Sequence, residues 1–357
     1  MFIKYADVPH VIIDAVDIDE NSIENLRLIM QNVEIPSNFE INYICADFLL
    51  YDSPYTYDLT IGNPPYSKLK NRTPEISMRL LCNVNQDTND LAEIFLEKCI
   101  RISDCVALVL NKSILSGEEY QETYKLLRKV NIDTIIDFGR YGFTGLSIET
   151  IALIVYPNKR PGNTMVHSLK YNRTYKQKQS YITDDKFPFI LIYRDEEFDR
   201  VATKLNFGVF DVIRDRQITK SMTKHEKGLQ DIWVIKARNI DDDGKGISHI
   251  EGYDVFLPLE VACTLNINTY VNNKNVYLTP NMTYNTRVIK NVPNVIPDGS
   301  VAVLLPKEGI QLTEEQLNYF SSEEYRRFYL IARNLSTQSI NVDRTSVYFF
   351  GILKNDK

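Results

Sequence analysis

The sequence predicts an α/β fold, in which an open, mostly parallel, twisted sheet is followed by a second domain of mixed α+β structure. One observation is that apolar runs of strand length alternate with amphipathic stretches of helical length between Val11 and Pro157. Such alternation is typical of parallel sheets with crossover helices. The other observation is a change after Pro157, where segments become short, polar and rich in Asn, Thr and Tyr.

Strands are predicted where a short run is apolar throughout or alternates between apolar and polar residues. These runs cover residues 11–18, 40–47, 57–61, 105–110, 132–138 and 148–156. Helices are predicted where apolar residues recur at helical spacing, as they do over residues 22–31, 91–102 and 120–130. The turn-rich segment from Pro157 to Asn163 separates the two predicted domains, which we place at residues 1–158 and 159–357.

The composition indicates a cytoplasmic globular protein. Charged residues make up 25% of the 357 residues, and no apolar run reaches the length of about 18 residues that a membrane span requires. The first residues lack the basic region and long apolar core of a signal peptide. The five cysteines show no C-x-x-C spacing and the four histidines are isolated, so we expect reduced cysteines, no metal site and no membrane partner.

Charge is distributed unevenly along the chain. The net charge of -6, taken alone, disfavours nucleic acid binding. Between Lys159 and Arg238, however, 17 Lys and Arg residues stand against 10 Asp and Glu residues, which leaves a local excess of about +7. This stretch is either a solvated basic face or part of a nucleic-acid surface, and the charge count does not decide between them.

The residues Asn63-Pro64-Pro65-Tyr66 follow a short apolar run. Two consecutive prolines make the turn stiff, and it begins where a predicted parallel strand ends, which is where open α/β sheets bind ligands. Such a turn can hold the Asn63 side-chain oxygen and a proline carbonyl as two fixed acceptors for an exocyclic amine, and Tyr66 can stack on a planar substrate. The motif therefore indicates attack by a planar amine on an electrophile; the alternative is a proline-rich loop with an incidental Asn.

Residues 58–66 resemble the catalytic motif of S-adenosylmethionine-dependent amino-methyltransferases, specifically the adenine-N6 DNA methyltransferases of restriction–modification systems. The resemblance implies a class I methyltransferase-like sheet and methyl transfer from S-adenosylmethionine to N6 of adenine in a specific DNA sequence. It assigns the catalytic role to Asn63, Pro64, Pro65 and Tyr66, with Asn63 also at the cofactor. The catalytic half precedes the recognition half, which is the gamma arrangement of this family.

Two further segments resemble cofactor motifs of the same family. Residues 15–19 resemble the motif whose acidic residue binds the ribose hydroxyls and whose next apolar residue packs on the cofactor adenine, which implies these roles for Asp17 and Ile18. Residues 46–50 resemble the motif whose Asp accepts from the adenine amino group, which implies Asp47, with Phe48 beside it. Considered singly, Asp17 and Asp47 fit strand-end turn formers equally well.

The substrate side of the resemblance lies later in the chain. Residues 138–145 resemble the motif whose aromatic residue helps to hold a flipped base, which implies that role for Phe143, although Phe143 alone fits a core position better. Residues 233–240 and 333–338 resemble a target-recognition domain only diffusely, and their basic and amide side chains suit phosphate anchoring and base-edge reading. The implied partners are double-stranded DNA and a cognate restriction subunit.

One motif of the family has no counterpart in this sequence. In the family, a strand ending in a Gly-rich loop precedes the strand of Asp17, but none of the 16 residues before Asp17 is glycine and Gly62 is the first glycine of the chain. We therefore expect the central first strand of the sheet to be missing. On this interpretation the chain is a fragment or one half of a split enzyme, and an upstream polypeptide supplies the strand and the loop.

Three functions stay open at this point. The first is an adenine-N6 DNA methyltransferase, which the long second domain favours. The second is a catalytically inactive DNA-binding remnant that uses residues 160–357. The third is a methyltransferase acting on a protein glutamine or on RNA, because enzymes of those classes also carry the Asn-Pro-Pro-Tyr motif.

Overall fold

A computed structural model describes residues 7–69, 88–143, 148–336 and 341–354. The chain divides into two compact units, one formed by Met1–Leu110 with Leu153–Lys159 and the other by Asn111–Ala152 with Arg160–Lys357. One division falls at Lys159, beside the predicted boundary, whereas residues 111–152 group with the second unit. Within the described ranges, no helix combines the length and the apolar character that a membrane crossing needs.

The first unit contains the alternating strands and helices that the sequence predicted. Its elements are β1 (Val11–Asp17), α1 (Glu20–Met30), β2 (Phe39–Cys45), β3 (Thr60–Gly62), α2 (Leu91–Ile102) and β4 (Val106–Asn111). Strand β1 pairs with β2 in parallel, and β3 pairs with β4 in parallel. The α/β class with parallel pairing is therefore confirmed.

The strands of the first unit belong to two separate sheets. Over the part of the chain that the structure describes, β1 pairs only with β2 and β3 pairs only with β4, so each has one unpaired edge. Apolar side chains of both strands are exposed, with Ile12 at 43% and Ile61 at 56%. No residue of β1 is buried, although its sequence is apolar, whereas buried and half-buried residues alternate along β4. Among the described residues, the β1–β2 pair and the β3–β4 pair are thus not joined by strand pairing.

Both long helices of the first unit begin at an Asp residue. The Asp19 carboxylate accepts a hydrogen bond from the Asn21 backbone nitrogen at 3.1 Å, and the Asp90 carboxylate accepts one from the Glu93 backbone nitrogen at 3.1 Å. Each bond satisfies a backbone donor that the first helical turn leaves unpaired. Hydrogen bonds from Ser22 and Asn21 lower the pKa of Asp19, so this cap stays charged.

The second unit begins with helix α3 (Gln121–Leu127) and strand β5 (Asn131–Gly139), and strand β6 (Thr150–Tyr156) contributes residues to both units. Two strands beyond the predicted domain boundary, β7 (Asn163–Ser168) and β8 (Arg173–Lys178), extend the pairing of β5. Strand β7 is parallel to β5 and antiparallel to β8. The change of composition after Pro157 therefore does not mark the end of strand pairing around β5.

The rest of the second unit mixes helices with small sheets. Its helices are α4 (Gln179–Ile182), α5 (Glu196–Lys204), α6 (Leu259–Ala262), α7 (Glu314–Phe320) and α8 (Glu323–Ala332). Its strands are β9 (Leu205–Asn206), β10 (Phe210–Ile213), β11 (Asp231–Ile235), β12 (Val255–Pro258), β13 (Tyr277–Pro280), β14 (Ile289–Lys290), β15 (Val295–Pro297), β16 (Val301–Pro306) and β17 (Ile352–Leu353). The sheet orders are β10-β16-β13-β14, β12-β11-β15 and β17-β9. The predicted α+β character of this part is confirmed.

Candidate active site

The Asn-Pro-Pro-Tyr turn follows directly after β3. Asn63 is exposed, Pro64 is buried and Tyr66 is half-buried. The Tyr66 hydroxyl donates to Asn63 Oδ1 at 2.6 Å and lies 3.2 Å from the Val109 carbonyl oxygen on β4. Burial raises the pKa of Tyr66, so its hydroxyl keeps the proton that it donates. The Asn63 side chain is thereby held in place, while its oxygen retains a second lone pair for a ligand.

The contact between Tyr66 and Asn63 is a feature of the candidate site that the sequence analysis did not identify. We predicted a stacking role for the Tyr66 ring, and this role stays a prediction. The structure adds that the hydroxyl orients the neighbouring amide. The signal in the sequence was the spacing of three residues across a stiff turn, which brings the two side chains to the same side.

The two predicted cofactor carboxylates lie at the same edge of the β1–β2 pair. Asp17 is the last residue of β1 and is opposite Cys45 on the parallel strand β2, so Asp47 follows two residues beyond that point. The Asp17 carboxylate accepts from the Asp19 nitrogen at 2.9 Å, and the Asp47 carboxylate accepts from the Leu49 nitrogen at 2.9 Å. In the described parts of the chain, the other oxygen of each carboxylate accepts no hydrogen bond.

Apolar side chains flank the two carboxylates. Ile18 is 71% exposed and follows Asp17 directly. The half-buried Phe48 ring packs against Phe95 of α2, with 4.9 Å between ring centroids. The sequence prediction thus placed a carboxylate and an apolar side chain side by side at the end of each strand, and the structure brings these two pairs to one edge.

A buried lysine fixes the segment that follows β2. Lys98 of α2 donates through Nζ to the carbonyl oxygens of Phe48, of Leu49 at 3.3 Å and of Tyr51 at 2.5 Å. Its ammonium group also lies 4.7 Å from the Phe48 ring centroid. Three carbonyl acceptors offset the cost of placing this cation in the interior. The segment that carries Asp47 is therefore attached to α2.

Phe143, the predicted base-holding residue, belongs to the second unit and is half-buried. The loop that carries it begins at Gly139, whose φ of 55° favours glycine. The Asp137 carboxylate accepts from the Gly139 nitrogen at 2.9 Å and so fixes the start of this loop. The predicted role of Phe143 stays a prediction.

A buried polar cluster lies beneath the start of this loop, and the sequence analysis missed it. Lys112 Nζ lies 2.7 Å from Asp137 Oδ2, and the Tyr193 hydroxyl donates to the same oxygen at 2.5 Å. Lys112 is 5% exposed and Asp137 is 2% exposed. Burial and the neighbouring Asp137 raise the pKa of Tyr193. The sequence signal was weak, because Lys112 stands between the polar residues Asn111 and Ser113, and Asp137 shares its strand with other polar residues.

A comparison with protein families shows which family the residues around this candidate site resemble. Residues 8–143 match the family model of the Eco57I restriction-modification methylase. Over these residues the chain resembles a restriction-modification methylase. The matched range contains both predicted cofactor carboxylates, the Asn-Pro-Pro-Tyr turn and Phe143. The resemblance that the sequence motifs indicated is therefore confirmed.

Solved structures of restriction–modification proteins are similar to this chain. The Type IIL restriction-modification enzyme MmeI in complex with DNA is 13% identical, with 93% of this chain and 54% of that chain covered and a TM-score of 0.50. A modification subunit of a putative type I restriction enzyme from Vibrio vulnificus YJ016 is 14% identical, covering 51% of this chain and 46% of that one at a TM-score of 0.39. No curated protein sequence matches the chain. The chain spans about half the length of the solved structures that it matches.

Proposed function

We propose that this chain transfers a methyl group from S-adenosylmethionine to N6 of adenine in a specific DNA sequence, as the modification part of a restriction–modification system. The observation that carries the proposal is the stiff turn after β3, where Asn63 is exposed and its amide is held by Tyr66. The family match over residues 8–143 supports methyl transfer, and the shared fold of the DNA-bound enzyme MmeI supports DNA as the substrate.

The turn after β3 suits an exocyclic amine. A target adenine that has left the duplex presents N6 with two N–H bonds. We propose that Asn63 Oδ1 and the Pro64 carbonyl oxygen accept these two bonds, which directs the nitrogen lone pair out of conjugation with the ring and toward the electrophile. Tyr66 is proposed to stack on a flat face of the base, and for Phe143 we propose the base-holding role that the family resemblance implies. The amine needs no general base, because it loses its proton after the attack.

The residues at the ends of β1 and β2 fit S-adenosylmethionine, which supplies an electrophilic methyl group when bound. Asp17 and Asp47 each keep a carboxylate oxygen for a ligand, and the exposed Ile18 presents an apolar surface next to them. We propose that Asp17 holds the ribose hydroxyls, Asp47 holds the adenine amino group and Ile18 packs on the adenine ring. Phe48 lines the same site.

A methyl-transfer assay tests the proposed function. Protein supplied with S-adenosylmethionine that carries a radioactive methyl group is offered DNA, RNA and protein acceptors, and the labelled DNA is digested to nucleosides. We expect label in N6-methyladenine from DNA. Label in RNA or protein alone would favour the third function, whereas DNA binding without any transfer would favour an inactive remnant.

We further propose that a partner strand completes the sheet of the first unit. Among the described residues, β1 and β3 each offer an unpaired edge, and the exposed Ile12 and Ile61 lie on these two strands. The Asp14 carboxylate accepts from the Tyr57 hydroxyl at 2.6 Å, which ties β1 to the segment that leads into β3. A strand running parallel to both would pair with each edge and cover these side chains. The family resemblance assigns a Gly-rich cofactor loop to such a strand.

Supplying that strand is expected to restore cofactor binding. The chain alone should bind S-adenosylmethionine very weakly and should self-associate, because unpaired strand edges recruit other strands. Co-expression with a polypeptide that carries the strand and the Gly-rich loop should give a monodisperse complex that binds the cofactor in calorimetry. The control polypeptide carries proline at alternate strand positions, which removes ladder donors. Micromolar cofactor binding by the chain alone, with cooperative melting as a monomer, would contradict the proposal.

In the complex that binds the cofactor, the carboxylates of Asp17 and Asp47 are each expected to contribute to cofactor affinity. Asp17→Ala and Asp47→Ala each remove a charged acceptor, and each should weaken binding by about 1.5–3 kcal/mol, measured by calorimetry. Glu40→Ala is the matched control, because Glu40 is an exposed carboxylate at the opposite end of β2. If both Asp variants bind the cofactor as the control does, the assignment of this site is wrong.

A further inference from the structure

A cleft of about 400 Å³ in the second unit involves none of the residues assigned so far. One wall is the loop that follows β10, with Arg214, Arg216 and Gln217. A second wall includes Asn266 and Tyr270. Two cations, two amides and an aromatic ring thus face one space, which is a composition suited to a polar, planar or anionic ligand.

The loop that carries the two arginines is fixed by hydrogen bonds within itself and to residues 266 and 267. Asp215 is buried, and its carboxylate accepts from the Gln217 nitrogen at 2.6 Å and from the Ile267 nitrogen at 3.2 Å. The Gln217 side-chain oxygen accepts from the Asn266 nitrogen at 3.2 Å. One oxygen of Asp215 therefore fixes the turn of its own loop and the other joins this loop to Ile267, so the loop has its shape before a ligand binds.

The guanidinium groups of this loop are not neutralised by carboxylates. Within the described ranges Arg216 makes no hydrogen bond or ion pair, and Arg214 makes one long hydrogen bond, 3.4 Å to Asn281 Oδ1, and no ion pair. Burial and then the nearby charge of Arg216 lower the pKa of Arg214, against the opposing effects of Asp343 and Glu118. Among the described residues, neither of these two neighbouring cations thus has a carboxylate within ion-pair distance.

Two other arginines of the same unit, Arg194 and Arg327, are each paired with carboxylates. Arg194 lies 2.9 Å from Asp184 and 2.7 Å from Asp199. Arg327 lies 2.6 Å from Glu197 and 3.5 Å from Asp195. The contrast indicates that the donors of Arg214 and Arg216 are available to a ligand rather than used by the fold.

We infer that this cleft binds DNA, with the guanidinium groups of Arg214 and Arg216 donating to acceptor atoms of the duplex. A guanidinium presents its donors as a planar fork, which matches phosphate oxygens and also the O6 and N7 atoms of guanine. In a chain with a net charge of -6, a locally positive cleft is the place where a polyanion is attracted rather than repelled. The inference rests on the proposed function, because it takes DNA as the substrate, and it names the side chains that contact it.

Equilibrium binding of the full chain to DNA tests the inference. Fluorescence anisotropy is measured with a pool of random-sequence duplexes over a series of salt concentrations, and then with duplexes selected from that pool by the unmodified protein. We expect Arg214→Gln and Arg216→Gln each to weaken binding about tenfold or more. If the arginine contacts a phosphate, its loss should weaken binding equally for all sequences. It should also reduce the slope of log affinity against log salt concentration by about 1. If the arginine contacts a guanine, its loss should instead relax the base preference at one position of the selected sequence.

Two further variants make the result specific. Arg216→Lys keeps the charge and loses the fork, so it should preserve a phosphate contact and lose a guanine contact. Arg327→Gln removes the same charge from an exposed arginine that is already paired, and it should leave DNA binding unchanged. The inference is overturned if the Arg214 and Arg216 variants bind as the unmodified chain does, or if Arg327→Gln weakens binding equally. A chain that binds no DNA but methylates protein or RNA would refute the proposed substrate, and this inference with it.

Discussion

Asn63→Ala is expected to slow methyl transfer by a factor of about 10²–10³, or about 2.7–4 kcal/mol in the activation barrier, by analogy with the loss of one oriented hydrogen-bonding group at an acyl-transfer site. The substitution removes the side-chain acceptor at the turn after β3, while the buried Pro64 keeps the shape of the turn. Single-turnover methylation of DNA reports the effect on the chemical step, and it is measured on the complex with the polypeptide that completes the sheet. DNA affinity should change little.

Two variants make this result interpretable. Tyr66→Phe keeps the ring and removes only the hydroxyl that donates to Asn63 at 2.6 Å, so its loss of rate should be smaller, about 0.5–1.5 kcal/mol in the barrier. Asn32→Ala removes an exposed amide just past the end of α1 and should leave the rate unchanged. Near wild-type methylation by Asn63→Ala would show that Asn63 is not the acceptor for the amine.

Asp137→Ala is expected to lower the free energy of unfolding by about 3–5 kcal/mol. The substitution leaves the buried Lys112 ammonium without its counter-charge at 2.7 Å, and the buried Tyr193 hydroxyl without its acceptor. An unpaired charge in the interior is far more costly than a missing pair, because the desolvation cost remains after the attraction is gone. Urea unfolding followed by circular dichroism measures the loss.

The matched control for Asp137 is an exposed pair. Glu122→Ala removes a carboxylate that lies 2.6 Å from Lys125 on the surface of α3, and it should cost no more than about 1 kcal/mol because water screens such pairs. The double variant Lys112→Met with Asp137→Leu removes both charges and should recover much of the lost stability. Equal unfolding midpoints for Asp137→Ala and Glu122→Ala would mean that the buried pair does not act as described.

The fold of the first unit could be predicted because its signals are local. The apolar run of β1 and the apolar face of α2 each indicate their element without any long-range information. The pairing of β7 with β5 could not be predicted in this way. It joins Thr134 with Met165 across a domain boundary drawn from composition, and the short alternation of β7 looks like that of the small strands that follow it.

The candidate site residues likewise differ in whether local sequence could predict them. Asn63 and Tyr66 lie in one turn, and Asp17 and Asp47 lie at the ends of two strands that pair in parallel, so spacing and strand order were enough to place them. The contact of Lys112 with Asp137 and the joining of Asp215 to Ile267 connect positions that are distant in sequence. Such contacts depend on the register of neighbouring elements, and no local pattern specifies that register.

The attachment of Lys98 to the carbonyl oxygens of residues 48–51 affects how a ligand can be bound next to it. The backbone beside Asp47 loses its conformational freedom when α2 folds, and not when a ligand arrives. The entropy cost of ordering this segment is therefore part of the stability of the first unit. A preorganised segment of this kind lets a small cofactor be recognised with few contacts, because little of the interaction energy is used to order the protein.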